Sequence, residues 1–108
     1  MSVLLEFSMF PTSSDCRDGA SVSQYVSRII DVIDKSGVSY QLTPMGTVIE
    51  TDTLKEALDI IALSYEQLEN ECERVYSSLK FDIRKGKLNR LKSKIKSVEK
   101  VLGREIEK

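Results

Sequence analysis

The sequence predicts an α+β fold, a ferredoxin-like βαββαβ sandwich with an additional C-terminal helix. Three observations carry that expectation. Apolar residues alternate with a period of two in four separate stretches. Two stretches with helical spacing, each opened by a Ser or Thr cap, divide them in the order β-α-β-β-α-β. A last amphipathic stretch follows Gly86. A chain of 108 residues holds one domain, spanning 1–108, with one substantial core.

The first strand is read from Val3, Leu5, Phe7 and Met9, which alternate with Leu4, Glu6, Ser8 and Phe10. PTSSDCRDGA follows as a loop of turn formers. SVSQ then reads as a capping box, with Ser21 accepting from the Gln24 N–H while Gln24 reaches back. Val22, Val26, Ile29 and Ile33, broadened by Tyr25, Ile30 and Val32, give an amphipathic helix that Gly37 ends. Val38, Tyr40 and Leu42 form the inner face of a second strand, with Ser39, Gln41 and Thr43 outward. Pro44 and Gly46 turn the chain into a third strand over about 47–51. Its inward pair is either Thr47 and Ile49 or Val48 and Glu50, a choice left to the hairpin geometry.

Thr53 and Glu56 make a second capping box, and Leu54, Leu58, Ile61, Tyr65 and Leu68 the stripe of the second helix. The fourth strand places Val75, Ser77, Leu79, Phe81 and Ile83 on one face and Tyr76, Ser78, Lys80, Asp82 and Arg84 on the other. The last helix, about 87–106, carries Leu88, Leu91, Ile95, Val98 and Leu102, followed by Ile106. Fewer than three full heptads rule out a stable free coiled coil, so this helix is expected along the sheet edge or against another subunit.

Composition narrows the function. Hydrophobic residues make up 41% and charged residues 31%, as in a soluble globular protein. No apolar run approaches the roughly 20 residues a bilayer span needs. The N-terminal MSVLLEFSMFP lacks a basic region and holds Glu6, unlike a signal peptide. A cytoplasmic location without a membrane partner is therefore expected. The absence of histidine removes His-based acid–base chemistry and most catalytic zinc sites. Phosphate-loop and dinucleotide fingerprints are missing too, so no metal or cofactor is expected. Cys16, beside Arg17 in a polar loop, reads as a free surface thiol, and Cys72 as a small, partly buried hydrophobe.

From Lys80 to Lys108 there are 11 basic and 4 acidic residues, a balance of +7; the preceding residues balance at -8. The chain is an acidic body with a basic tail. Lys92, Lys94, Lys96 and Lys100 surround the apolar stripe as on a solvated helix, and the aromatic segments of RNA-recognition modules are missing, so nucleic acid is not an expected partner. Glu50 and Asp82 could pair across the sheet, but their spacing is not diagnostic, and the chain reads as a non-enzyme.

Two helices bury one sheet face. The other presents Glu6, Ser8, Phe10, Gln41, Thr43 and Tyr76 among further hydroxyls and charges. It reads as a solvated surface, a subunit interface or a ligand face. Hydroxyls, the Gln41 amide, aromatic rings and a carboxylate suit a polar heteroaromatic molecule, and a cationic ring would gain from Asp82 or Glu50. Pro44 and Gly46 account for the corner in TPMGT; Thr43, Thr47 and the nearby Glu50 read as polar groups set at its rim.

FSMFP, SVSQYV, YQLTPMGTVIE and LKFDIR, in that order over residues 3 to 86, carry a resemblance. The chain resembles the small thiamine-binding protein family. The resemblance implies ferredoxin-like domains that associate through their sheets as dimers of dimers, hence a homotetramer. It implies non-catalytic binding of thiamine or its hydroxymethylpyrimidine portion. Its motifs place Ser21, Ser23, Thr43, Met45, Thr47, Glu50, Asp82 and Arg84 at ligand-binding positions, to which the sheet-face reading adds Gln41. The first loop and Ile83, where the family usually has Asp, depart from its pattern. The alternative is a structural or regulatory interaction module whose polar sheet face mediates self-association.

Overall fold

The computed structural model describes residues 1–13, 16, 22–86 and 90–104. Seven elements follow in order: β1 (Ser2–Pro11), α1 (Ser23–Ser36), β2 (Ser39–Thr43), β3 (Gly46–Thr51), α2 (Leu54–Glu69), β4 (Val75–Arg84) and α3 (Arg90–Leu102). The strands form one antiparallel sheet in the order β2-β3-β1-β4. This is the ferredoxin-like arrangement the sequence predicts, with β2 on one edge and α3 appended. Ser21, Leu88 and Ile106 lie outside the described residues.

Val3, Leu5 and Phe7 pair with Thr51, Ile49 and Thr47 on one side, and with Ile83, Phe81 and Leu79 on the other. Facing residues in an antiparallel pair share a sheet face. The hairpin therefore turns Thr47, Ile49 and Thr51 toward the helices and Val48 and Glu50 away. Val3, Leu5 and Ile49 are fully buried, the centre of a core completed by α1 and α2.

In α1, Tyr25, Ile29 and Ile33 are buried at every fourth position, and Gly37, at φ 83°, closes the helix with its N–H on the Asp34 carbonyl. The helix starts later than the SVSQ box requires. Val22 is the N-cap, its carbonyl accepts from Tyr25 and Val26, and no side chain of the described residues caps the end. Thr53 does cap α2: its hydroxyl accepts from the Glu56 N–H at 3.1 Å and donates to the Glu56 carboxylate at 3.0 Å.

Three expectations need correction. The buried stripe of α2 is Ala57, Ile60, Ser64 and Leu68, whereas Leu54, Leu58 and Tyr65 are exposed. Apolar residues occur on more than one face of this helix; small Ala57 and Ser64, the latter bonding the Ile60 carbonyl, sit on the face that packs. Leu79, Phe81 and Ile83 keep the predicted parity but are exposed, because α1 and α2 pack over β1 and β3 and leave β4 uncovered. Cys16 is no surface thiol: it is buried and bridged to Cys72, tying the first loop to the α2–β4 connection. Thr12, whose N–H donates to the Arg74 carbonyl at 2.9 Å, fastens the same junction.

α3 lies neither along the edge nor over the helices. Its first turn rests on the sheet face opposite α1 and α2, near β1 and β3, while Val98, Val101 and Leu102 are exposed. The molecule is accordingly elongated, 48 × 30 × 22 Å.

Candidate functional site

β1 is longer than its neighbour β3. The β1–β3 ladder stops at Phe7 and Thr47, whereas β1–β4 continues to Pro11 and Val75. Past Phe7, no strand of the described residues lies on one side of β1. The first turns of α1 and the β2–β3 hairpin close the gap around a cavity of about 400 Å³. Its walls are residues 7–10, Val22, Val26, Ile29, Ile30 and residues 42–47. None of these lining residues carries a charge.

The hairpin accounts for two of its conspicuous residues. The Thr43 hydroxyl donates to the Gly46 carbonyl at 2.9 Å and accepts from the Met45 N–H at 3.3 Å, so Thr43 braces the corner, a task the sequence reading left to Pro44 and Gly46. A Cβ on Gly46 would meet the Phe7 carbonyl oxygen at 2.7 Å, so only glycine lets β3 begin this close to β1. Thr47 differs. It is 6% exposed, it lines the cavity, and its hydroxyl makes no hydrogen bond to another described residue. Met45, 86% exposed, sits at the rim.

A second recess of about 350 Å³ lies on the opposite face, lined by Leu4, Glu6, Val48, Lys80, Phe81, Asp82, Arg90 and Leu91. Leu4 faces Glu50 on one neighbour and Asp82 on the other, so the two carboxylates flank β1 on one face. Arg90 spans them. Glu50 accepts from the Arg90 N–H at 2.9 Å, the Leu91 N–H at 3.1 Å and the Ser2 hydroxyl at 2.5 Å, capping α3. Burial alone would push the Glu50 carboxyl up; the Ser2, Arg90 and Leu91 hydrogen bonds and the Arg90 charge outweigh it and hold the group below the ordinary carboxylate range.

The Arg90 guanidinium is buried as well. Nε donates to the Ser2 hydroxyl at 3.1 Å, Nη2 to the Ser2 carbonyl at 2.8 Å and to the Asp82 carbonyl, and Nη1 pairs with the Asp82 carboxylate at 3.0 Å. Lys80 and Glu6, 3.5 Å apart at the rim and largely exposed, contribute little.

The structure thus divides the positions singled out from sequence. Thr43, Met45 and Thr47 meet at the first cavity, and Ser23 is exposed at the α1 start beside its Val22 wall. Glu50, Asp82 and Arg84 lie on the other face, opposite Leu4 and Ser2, and Gln41 is on that face of β2 opposite Val48. About three residues of β1, roughly 10 Å, and the thickness of the sheet separate the groups. The apolar walls and Arg90 were missed. The walls look like core in any sequence, and Arg90 is one basic residue among many in the tail. Among the described residues, no group of three or more His, Cys, Asp or Glu could hold a metal ion, and no helix is long and apolar enough to cross a membrane.

Comparison with known proteins agrees with this architecture. A family model described as thiamine-binding protein matches residues 5–99. A UPF0045 protein of Methanocaldococcus jannaschii is 38% identical over 96 residues, covering 89% of this chain and 91% of its own. A UPF0045 protein of Mycobacterium bovis is 34% identical over 102 residues, 94% of this chain and 96% of its own. A crystal structure of a protein from the same Methanocaldococcus species superposes with a TM-score of 0.76 at 38% identity, over 90% of this chain and 95% of that one. A Thermotoga maritima structure described in terms of thiamine biosynthesis or salvage gives 0.73 at 21% identity, over 91% of this chain and 99% of that one, a likeness of fold.

Proposed function

The chain belongs to the thiamine-binding protein family, and on that premise we propose that it binds thiamine or a related pyrimidine such as hydroxymethylpyrimidine, without turning it over. The observation that carries the reading is the cavity between β1, α1 and the hairpin, with Thr47, a largely buried residue whose hydroxyl has no hydrogen bond to another described residue, on its wall. Its volume falls in the range of small-molecule sites, and apolar walls with a few polar groups are how such sites hold a flat ring. Thr43, Met45 and Thr47 serve this cavity, with Ser23 on its α1 flank; Ser21, the residue before the described start of this segment, belongs to the same proposal. On the other sheet face Asp82 lines the outer recess; Gln41, Glu50 and Arg84 share that face, and Glu50 and Asp82 also hold α3. Isothermal titration with thiamine and with hydroxymethylpyrimidine tests the reading. Saturable heat with one site per chain supports it; no heat from either compound on folded protein overturns it.

A second reading rests on a different observation. Among the described residues β4 is paired on one side only, Leu79, Phe81 and Ile83 are exposed along it, and Val98, Val101 and Leu102 are exposed on α3. An open edge with apolar flanks favours pairing with another copy. Self-association as a dimer of dimers follows, through β4 and α3 as well as the polar face. Light scattering is expected to give four times the 12.2 kDa chain mass, and a monomer at micromolar concentration refutes it. A cytoplasmic location belongs to the same proposal. A bridge such as Cys16–Cys72 is uncommon in reducing compartments, so the pair is expected as two adjacent buried thiols in fresh cell extracts.

A further inference from the structure

We infer that the main-chain N–H and C=O of Met9 are the recognition edge of the cavity, and that they read the in-plane edge of an aminopyrimidine, a ring nitrogen beside an exocyclic amino group. The inference rests on the pyrimidine-binding reading and adds the atoms that do the binding.

Successive residues of an antiparallel strand aim their N–H and C=O to opposite sides. Two contacts fix those sides in β1. The Phe7 carbonyl points toward β3, because it is the atom a Cβ on Gly46 would strike. The Ser8 carbonyl points toward β4, where it accepts from the Ser77 hydroxyl at 2.7 Å. Met9 therefore points its N–H and C=O to the β3 side, two residues past Phe7, where the β1–β3 ladder has ended. Pro11 has the same parity. It has no N–H to give, and on this parity none is lost to β4, the neighbouring strand among the described residues.

The cavity lies where those groups point. Phe7 and Met9 belong to one sheet face and Ser8 and Phe10 to the other, yet all four line it. A space touched by both parities of a strand is at the strand's edge. Met9 is buried, 7% exposed, and a buried main-chain donor and acceptor need a partner.

The N–H and C=O of one strand residue lie nearly parallel and a few ångströms apart. A planar ring edge with an acceptor adjacent to a donor answers both at once, and an aminopyrimidine has that edge. Val26, Ile30 and Leu42 supply apolar surface for the ring faces, and Thr47 a hydroxyl for a third polar atom. A peptide strand would also satisfy Met9, but the open edge is short and is closed off by the hairpin and α1.

The test is an amide titration of isotope-labelled protein with hydroxymethylpyrimidine, run beside calorimetry. The Met9 amide resonance is expected to move along the calorimetric isotherm and to gain protection from exchange. An analogue with hydrogen in place of the amino group is expected to bind on the order of tenfold more weakly, the worth of one such hydrogen bond. Met9→Pro, which removes the N–H on a side that bonds no described strand, is expected to weaken binding similarly; if that variant does not fold, the amide readout on the native chain decides. Calorimetric saturation with an unmoved Met9 amide, or equal affinity for the analogue lacking the amino group, overturns this inference and leaves the binding reading standing. No binding by either pyrimidine or thiamine overturns both.

Discussion

Arg90→Ala tests how α3 is held to the body. The guanidinium is 5% exposed and makes three hydrogen bonds to Ser2 and the Asp82 carbonyl besides its ion pair with the Asp82 carboxylate. Bonds from a charged donor are worth roughly 1.5–3 kcal/mol each before compensation. Compensation is large on one side only. The Asp82 carboxylate is 56% exposed and regains water, whereas Ser2, 1% exposed, keeps a buried carbonyl with its charged donor gone. The net loss is about 3 kcal/mol of α3 docking, near the value for breaking a buried pair.

A 13-residue segment is too short to stay helical in water without docking. The variant should therefore lose close to a third of its helical ellipticity, α3 being 13 of the 43 residues in the described α-helices. Amides of β1 and β3 should stay protected, since the Val3, Leu5 and Ile49 core does not rest on Arg90. Arg90→Lys should not restore docking, because one ammonium cannot fork between Ser2 and Asp82. Unchanged ellipticity together with protected α3 amides would refute the reasoning.

Gly46→Ala should cost about 2 kcal/mol in urea unfolding, since the new Cβ meets the Phe7 carbonyl at 2.7 Å and backbone must move; an unshifted midpoint contradicts the close approach. Glu50 is held below the ordinary carboxylate range, so its contribution is complete above that range and is lost as pH falls through its folded value. Amide exchange in α3 should thus accelerate on acidification, and Glu50→Gln should loosen α3 at neutral pH and flatten that acid dependence. Reductant, or Cys72→Ser, should lower unfolding stability by about 2–4 kcal/mol, the range for a bridge closing a loop of this length; identical urea curves with and without reductant would show that the bridge does not contribute.

Element order was legible because side-chain period reports secondary structure directly: β1 and α1 alternate and repeat as their burial requires. The stripe of α2 was not. Leu54, Leu58 and Tyr65 fit helical spacing as well as Ala57, Ile60, Ser64 and Leu68 do, and only the close packing of α1 on α2 selects the face with small residues. The structure divides the residues that the sequence reading grouped around TPMGT. Thr43 braces the turn, Thr47 faces the cavity, and Glu50 on the same strand faces the opposite side because parity alternates.

By itself the sequence determined the α+β class, the β-α-β-β-α-β-α order, the antiparallel hairpin at Pro44 and Gly46, and family membership, since propensity, periodicity and motif are local along the chain. The tertiary structure alone decided that β1 outruns β3 and leaves a cavity at its edge, that Cys16 meets Cys72, that β4 stays uncovered, and that Arg90 fastens α3 between Glu50 and Asp82. Each of these joins residues distant in sequence, and a pairing of that kind is set by strand register and packing geometry, which no local pattern encodes.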